Sequence, residues 1–316
     1  MMFDTDSFIE EAAQKMKDEI DGIAIIACSG GVDSTVAAVI ANQAIGGKLH
    51  CVYVDTGLMR KNETKEIQEM LADHGLNLTT VFAEDRYFKA LADVTEPEQK
   101  RKIIGELFIR IFEEEQAKVD AKFLVQGTIA PDWIESGGGA RDTIKSHHNV
   151  GGLPDDMTLE IFEPLRDLYK DEVRDLARAL EIRVAERQPF PGPGLAVRCL
   201  GPLTLERVHV VREACAIVEE EFETAAAEGK MEIPWQYFAA LLPVRSVGVH
   251  GDVRVYGETV VVRAVQSLDG MSAQYSTIPH EILAKISTRI TNTVKGAVNR
   301  VVYDITHKPP GTIEWE

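Results

Sequence analysis

The stretch that most constrains this chain is SGGVDS at residues 29–34, set between the apolar run IAIIAC at 23–28 and the run TVAAVIANQAI at 35–45. The first run is β-rich and does not alternate with polar residues, the pattern of a parallel strand buried on both faces. The residues after the glycines predict a helix over 32–45, closed by Gly46 and Gly47. A second strand, LHCVYVD at 49–55, completes a βαβ unit.

A glycine turn in that position grips an anion. Gly30 and Gly31 let the backbone approach a bound group closely and take angles other residues resist. The turn feeds a helix N-terminus, where free N–H groups and the helix dipole favour a phosphate. Ser29, Ser34 and Thr35 can add hydroxyl donors. Asp33 cannot favour a bare phosphate; it makes sense either as the holder of a magnesium ion that bridges phosphates or as a plain helix cap. The lysine of the common P-loop is missing from the turn.

Around this unit the periodicity predicts an amphipathic N-terminal helix carrying Phe8, Ala12, Met16 and Ile20. Further strands are expected at 78–82 and 122–127, and further helices at 63–74, 97–118 and 171–180. The fold class is therefore α/β, a doubly wound parallel sheet whose ligand crevice lies at the strand carboxyl ends. Those ends carry CSGGVDS, VDTGLMR (54–60) and QGTIAPDWIES (126–136).

At 316 residues the chain exceeds the prior of about 150 for one domain. Composition shifts at RQPFPGPGLAVR (187–198), where Pro189, Pro191 and Pro193 forbid regular helix and favour an extended linker. The expected domains are therefore residues 1–187 and 188–316, the second a smaller α+β unit. It should hold a long helix over 204–228, strand-like sequence over 236–265, a helix near 279–294 and a last strand at 299–306. ETVVVRAV (258–265) is apolar enough to bury against a partner chain, so a homodimer is expected.

The formal charge of −17 repels polyanions and disfavours nucleic acid as a partner. No apolar run approaches the roughly 20 residues of a membrane span, and the acidic N-terminus is unlike a signal peptide, which points to a cytoplasmic protein. The acid excess fits a solvated surface or a saline cytoplasm, and charge alone does not choose. Cys28, Cys51, Cys199 and Cys215 lie far apart with no CxxC pair and read as small buried hydrophobes.

The SGGVDS turn resembles the pyrophosphate-binding loop of N-type ATP pyrophosphatases, which cut ATP between its α- and β-phosphates. That resemblance implies the adenine nucleotide alpha hydrolase-like fold and explains the absent P-loop lysine. From the turn to the last residue the chain is similar to the synthetase part of the GMP synthase family, in the archaeal form where synthetase and glutaminase are two separate chains. The resemblance rests on VDTGLMR, KRKIIG (100–105), QGTIAPDWIES, IKSHHNVGGLP (144–154), EPLRDLYKDEVR (163–174), PFPGPGLAVR (189–198) and NRVVYDITHKPPGTIEWE (299–316). Gly311 stands where the family commonly has alanine.

The resemblance implies a reaction of ATP, xanthosine monophosphate (XMP) and ammonia that gives GMP, AMP and pyrophosphate. It assigns Ser29, Gly30, Gly31, Val32, Asp33, Ser34 and Thr35 to the ATP phosphates and Asp33 to magnesium. Val54, otherwise a core residue, and Gly127 are expected at the adenine end. Arg101, otherwise a solvated helix residue, is expected to contact XMP. Asp132, Glu135, Lys145, His147 and His148 belong to a glycine-flanked lid, with Lys145 placed to neutralise charge at the α-phosphate. Lys308, Thr312, Ile313 and Glu314 match the segment that grips XMP, although a docked interface strand would account for the same tail. A separate glutamine amidotransferase (glutaminase) chain, or free ammonium, is expected to supply the nitrogen. The rival readings are an NAD synthetase, a tRNA-modifying relative, for which paired cysteines or a basic face are missing, and a non-catalytic nucleotide sensor.

Overall fold

A computed structural model describes residues 3–131, 159–183, 188–268 and 270–316. The chain forms two compact units. The first comprises Met1–Thr56, Asn62–Ala83 and Ile104–Arg187; the second comprises Gly57–Lys61, Glu84–Ile103 and Gln188–Glu316. Two short segments from the N-terminal half thus belong to the second unit.

The first unit opens with α1 (Thr5–Glu19), whose N-cap Asp4 accepts the Ser7 amide at 3.1 Å and whose inner face buries Met16. β1 (Ala24–Ala27) leads through the glycine turn into α2 (Val32–Ile45), and β2 (Leu49–Asp55) follows. Then come α3 (Glu63–Asp73) and β3 (Leu78–Phe82). After α4 (Glu84–Ala90), in the second unit, comes α5 (Pro97–Val119), which runs on into β4 (Phe123–Val125), and β5 (Glu160–Phe162) and α6 (Lys170–Ala179) complete the first unit.

The five strands pair in parallel in the order β3-β2-β1-β4-β5. Ile25, Ile26, Cys51 and Val52 are buried at its centre because no face of β1 or β2 meets water. The strand order reverses between β1 and β4, the switch point where open α/β sheets bind ligands. The glycine turn leaves β1 there and Gly127 follows β4. The doubly wound sheet expected from the sequence is the one found.

In the second unit α7 (Leu205–Ala227) begins at Thr204, whose hydroxyl accepts the Arg207 amide at 3.2 Å. β6 (Gln236–His250) and β7 (Val253–Gln266) form a long antiparallel hairpin. β8 (Gln274–Tyr275) pairs antiparallel with β7, α8 (His280–Thr293) follows, and β9 (Val298–Tyr303) pairs parallel with β7. The core between this sheet and the helices takes in Val211, Phe222, Phe238, Val260 and Ile286.

Two expectations need correction. Residues 188–198 do not form an extended linker: Gly194–Val197 is a 3-10 turn, and Leu195, Ala196, Val197 and Arg198 are fully buried. The prolines exclude an α-helix but not a packed turn. The turn docks by a 2.7 Å bond from the Leu195 amide to the Leu58 carbonyl. Gly194 makes that approach possible, because a Cβ there would sit 2.4 Å from Leu58 O on a backbone with φ +63. Nor is ETVVVRAV kept for a partner. Val260, Val261 and Val262 are buried within their own unit, β7 being central between β6 and β9.

Candidate active site

The glycine turn has the backbone form that suits an anion. Gly30 takes φ +80, and a Cβ on it would fall 2.3 Å from Ile67 Cδ1, so both conformation and space demand glycine. Gly31 is the N-cap of α2 with no side-chain bond capping the helix. The first-turn amides of a helix have no intrahelical acceptor, and here they end at the turn. Thr35 returns its hydroxyl to Gly31 O at 2.8 Å, while Ser29 Oγ and Ser34 Oγ meet at 3.1 Å.

Asp33 therefore does not cap α2. Its carboxylate faces Lys170 at the start of α6, with Nζ 2.6 Å from Oδ2 and 2.8 Å from Oδ1. Both groups keep partial access to water, the lysine side chain 44% exposed and the aspartate 28%. Behind them Gly127 packs on the first turn of α2. A Cβ there would lie 2.8 Å from Asp33 C and 2.9 Å from Ser34 N, so no side chain fits between this loop and the helix. Val54 is buried on β2 opposite Val81.

The tail, in the second unit, is docked throughout. Lys308 exchanges backbone bonds with Ala273 at 2.8 and 3.0 Å and gives its ammonium to Gly270 O at 2.7 Å. The buried guanidinium of Arg263 donates to Thr306 O, Thr312 O and Ile313 O at 2.8 to 3.1 Å, with Asp304 at 3.1 Å. Glu314 accepts from Arg198 at 2.8 and 3.1 Å and from Gln236 at 2.8 Å. Arg198 is fully buried, with Cζ 4.2 Å from the Phe238 ring centre and 5.1 Å from that of Phe190. Burial works against its charge, but Glu314 beside it prevails and raises the guanidinium above its ordinary pKa. Arg101 donates to the backbone oxygen of Glu316, and the buried ammonium of Lys100 to the Glu316 carboxylate.

Comparison with known proteins decides the lineage. The model of the GMP synthase C terminal domain matches residues 221–315. The chain is 56% identical to the subunit, lettered B, of the GMP synthase [glutamine-hydrolyzing] of Thermococcus kodakarensis, across 98% of this chain and 99% of that protein. The chain belongs to the GMP synthase family. It is 54% identical to the GMP synthase [glutamine-hydrolyzing] of Clostridium tetani over 98% of its own length, which spans 61% of that longer protein. A solved NMN synthetase from Francisella tularensis overlaps 61% of this chain and 79% of its own, at 16% identity and a TM-score of 0.47. Members of the GMP synthase family are ligases, and the two rival enzyme readings fall away.

Within this family member, the structure brings Ser29 to Thr35 and Gly127 together at the switch point, and it gathers Lys308, Thr312, Ile313, Glu314 and Arg101 around the tail of the second unit. Asp132, Glu135, Lys145, His147 and His148 lie outside the described residues. Lys170, Lys100, Arg198 and Arg263 are not among the residues that sequence reasoning singles out. Lys170 stands inside the motif EPLRDLYKDEVR, but its nearness to Asp33 is a tertiary contact without a local signature. A charged residue inside an apolar run, as at Arg198 in PGLAVRCL and Arg263 in VVVRAV, is the one available signal for the buried pair.

Proposed function

We propose that this chain makes GMP from XMP, ATP and ammonia through an adenylated XMP, releasing AMP and pyrophosphate. The observation that carries the site assignment is the glycine turn at the sheet's switch point, with Asp33 beside Lys170 and Gly127 behind it. In the first step the xanthine C2 oxygen bonds to the α-phosphorus, and the bond from that phosphorus to the α,β-bridging oxygen breaks. Pyrophosphate leaves with the electron pair. In the second, ammonia bonds to C2, the C2–O bond breaks with AMP as leaving group, and the nitrogen sheds a proton.

The turn amides with Ser29, Ser34 and Thr35 bind and orient the β- and γ-phosphates. Lys170 supplies, from α6, the cation the turn lacks, and stabilises charge as the pyrophosphate departs. Magnesium is an expected cofactor. Among the described residues no group of three or more metal-ligating side chains exists. The single carboxylate of Asp33 nevertheless fits an ion that takes most of its ligands from phosphates and water. Bound there, magnesium would neutralise phosphate charge. Val54 and Gly127 are assigned to the adenine end, and Arg101, Lys308, Thr312, Ile313 and Glu314 to XMP. Lys145, with Asp132, Glu135, His147 and His148, is assigned to a lid over the reacting groups.

Ammonia comes from a separate glutaminase chain, the reading that fits relatives named as one lettered part of a larger enzyme. No helix among the described residues is long and apolar enough to cross a membrane, and we place the enzyme in the cytoplasm. It works as a homodimer. Val244, Val247, Val249, Val253 and Tyr256 are exposed along the outer half of the β6–β7 hairpin and supply the apolar contact, and sedimentation of a Val249→Asp variant as a monomer would support this. The test of the whole reading is loss of XMP absorbance with magnesium, ATP and ammonium. Turnover is expected with ammonium and not with glutamine alone; a protein that binds both nucleotides without turnover is a sensor and contradicts the reading.

A further inference from the structure

The tail of the second unit is stitched down at several points, but of its described residues only Glu316 hydrogen-bonds to α5. Its carboxylate takes the ammonium of Lys100 and, at 3.2 Å, the amide of Gly201; its backbone oxygen takes the guanidinium of Arg101. Lys100 is fully buried, and its other acceptors are two carbonyls, Cys199 O at 2.9 Å and Ala196 O at 3.4 Å. Among the described residues Glu316 is its ion-pair partner. A buried ammonium with a single counter-charge fixes that counter-charge in place, since any displacement leaves it uncompensated.

We propose that Glu316 is a positioning residue for XMP: latched on Lys100 and Gly201, it sets the register between Arg101 on α5 and the tail segment that holds Lys308, Thr312, Ile313 and Glu314. This rests on the reading of those residues as the XMP site. The logic is geometric. Arg101 and the tail lie 207 or more positions apart in sequence, as Lys308 minus Arg101 gives, so a chemical tie must hold them together for one substrate. Glu316 holds both sides with one residue, the side-chain carboxylate to the residue before Arg101 and the backbone oxygen to Arg101 itself. The residues of the glycine turn take no part in this link.

Glu316→Gln keeps the shape and removes the charge. With the wild-type enzyme turning over XMP as control, the variant is expected to raise the KM for XMP at least tenfold and to leave the KM for ATP within twofold. A general loss of structure would move both. The neighbouring Trp315, 38% exposed, reports the tail directly: its emission should shift to the red in the variant and return on adding XMP. Should Glu316→Gln fail to fold, the double variant Lys100→Met, Glu316→Gln leaves no unpaired ammonium at the latch; it should fold and still raise the XMP KM at least fivefold. An XMP KM within twofold of wild type in either folded variant overturns the latch. A wild-type enzyme that does not turn over XMP overturns the functional reading instead.

Discussion

Lys170 Nζ sits 2.6 Å from Oδ2 and 2.8 Å from Oδ1 of Asp33, so the acid of the glycine turn and a lysine from α6 form one charged unit at the point where the sheet reverses. In the proposed mechanism Lys170 takes the place of the P-loop lysine that the turn lacks. Asp33→Ala and Lys170→Met should each lower the rate of pyrophosphate release about 10²–10³-fold, the cost of losing one preorganised charge at a leaving group. Neither should unfold the protein. A partly exposed pair contributes about 0–1 kcal/mol, so Tm should move by no more than about 4 °C. Pyrophosphate assays and thermal melts check both halves.

Gly127→Ala adds a Cβ 2.8 Å from Asp33 C and 2.9 Å from Ser34 N. Backbone cannot yield as a flexible side chain does, so α2 and its turn must move. Stability should fall by about 1–3 kcal/mol, and the KM for ATP should rise while that for XMP holds. Denaturant unfolding and steady-state kinetics measure the two effects.

Arg198→Ala removes the partner of Glu314 and empties the space between Phe190 and Phe238. Breaking a buried pair costs about 3–5 kcal/mol, and the value here should lie at the lower end because Glu314 keeps 18% exposure. The tail should loosen as well, so XMP turnover should fall further than ATP binding does. Urea unfolding and isothermal titration with ATP separate the two.

All four cysteines are buried and free. Burial pushes the Cys199 thiol up to about 11 and also raises that of Cys215, while the bond to Cys51 and then burial raise Cys28. At pH 8 iodoacetamide should label none of them in the folded protein and all four in urea. The sign for stability follows. Cys199 ionises more readily once unfolded, so its contribution is complete below the ordinary thiol pKa near 9 and is lost as pH rises toward 11. Mass spectrometry of alkylated protein and melts between pH 8 and 11 test it.

The strands and helices that local pattern determines are legible residue by residue. The spans 32–45, 49–55 and 78–82 coincide with α2, β2 and β3 because apolar runs, a glycine stop and a glycine turn set their limits. β5 is not legible: Glu160–Phe162 is too short to show a period, and it becomes a strand through pairing with β4. The proline-rich stretch misleads because proline excludes regular hydrogen bonding without saying whether the chain is buried. ETVVVRAV misleads because an apolar run cannot tell a central strand of its own sheet from an interface. The glycine turn can be read locally. Lys170 and the cations beneath the tail cannot, since each meets its partner far along the chain, Arg263 and Ile313 at a separation of 50 and Lys170 and Asp33 at 137.

The central claim is the bond that breaks in ATP. Purified protein with magnesium, ATP, XMP and ammonium should yield AMP and pyrophosphate in equal amounts with GMP, resolved by ion-exchange chromatography, with the C2 oxygen of labelled XMP recovered in AMP. Formation of ADP and orthophosphate in step with GMP would contradict the account.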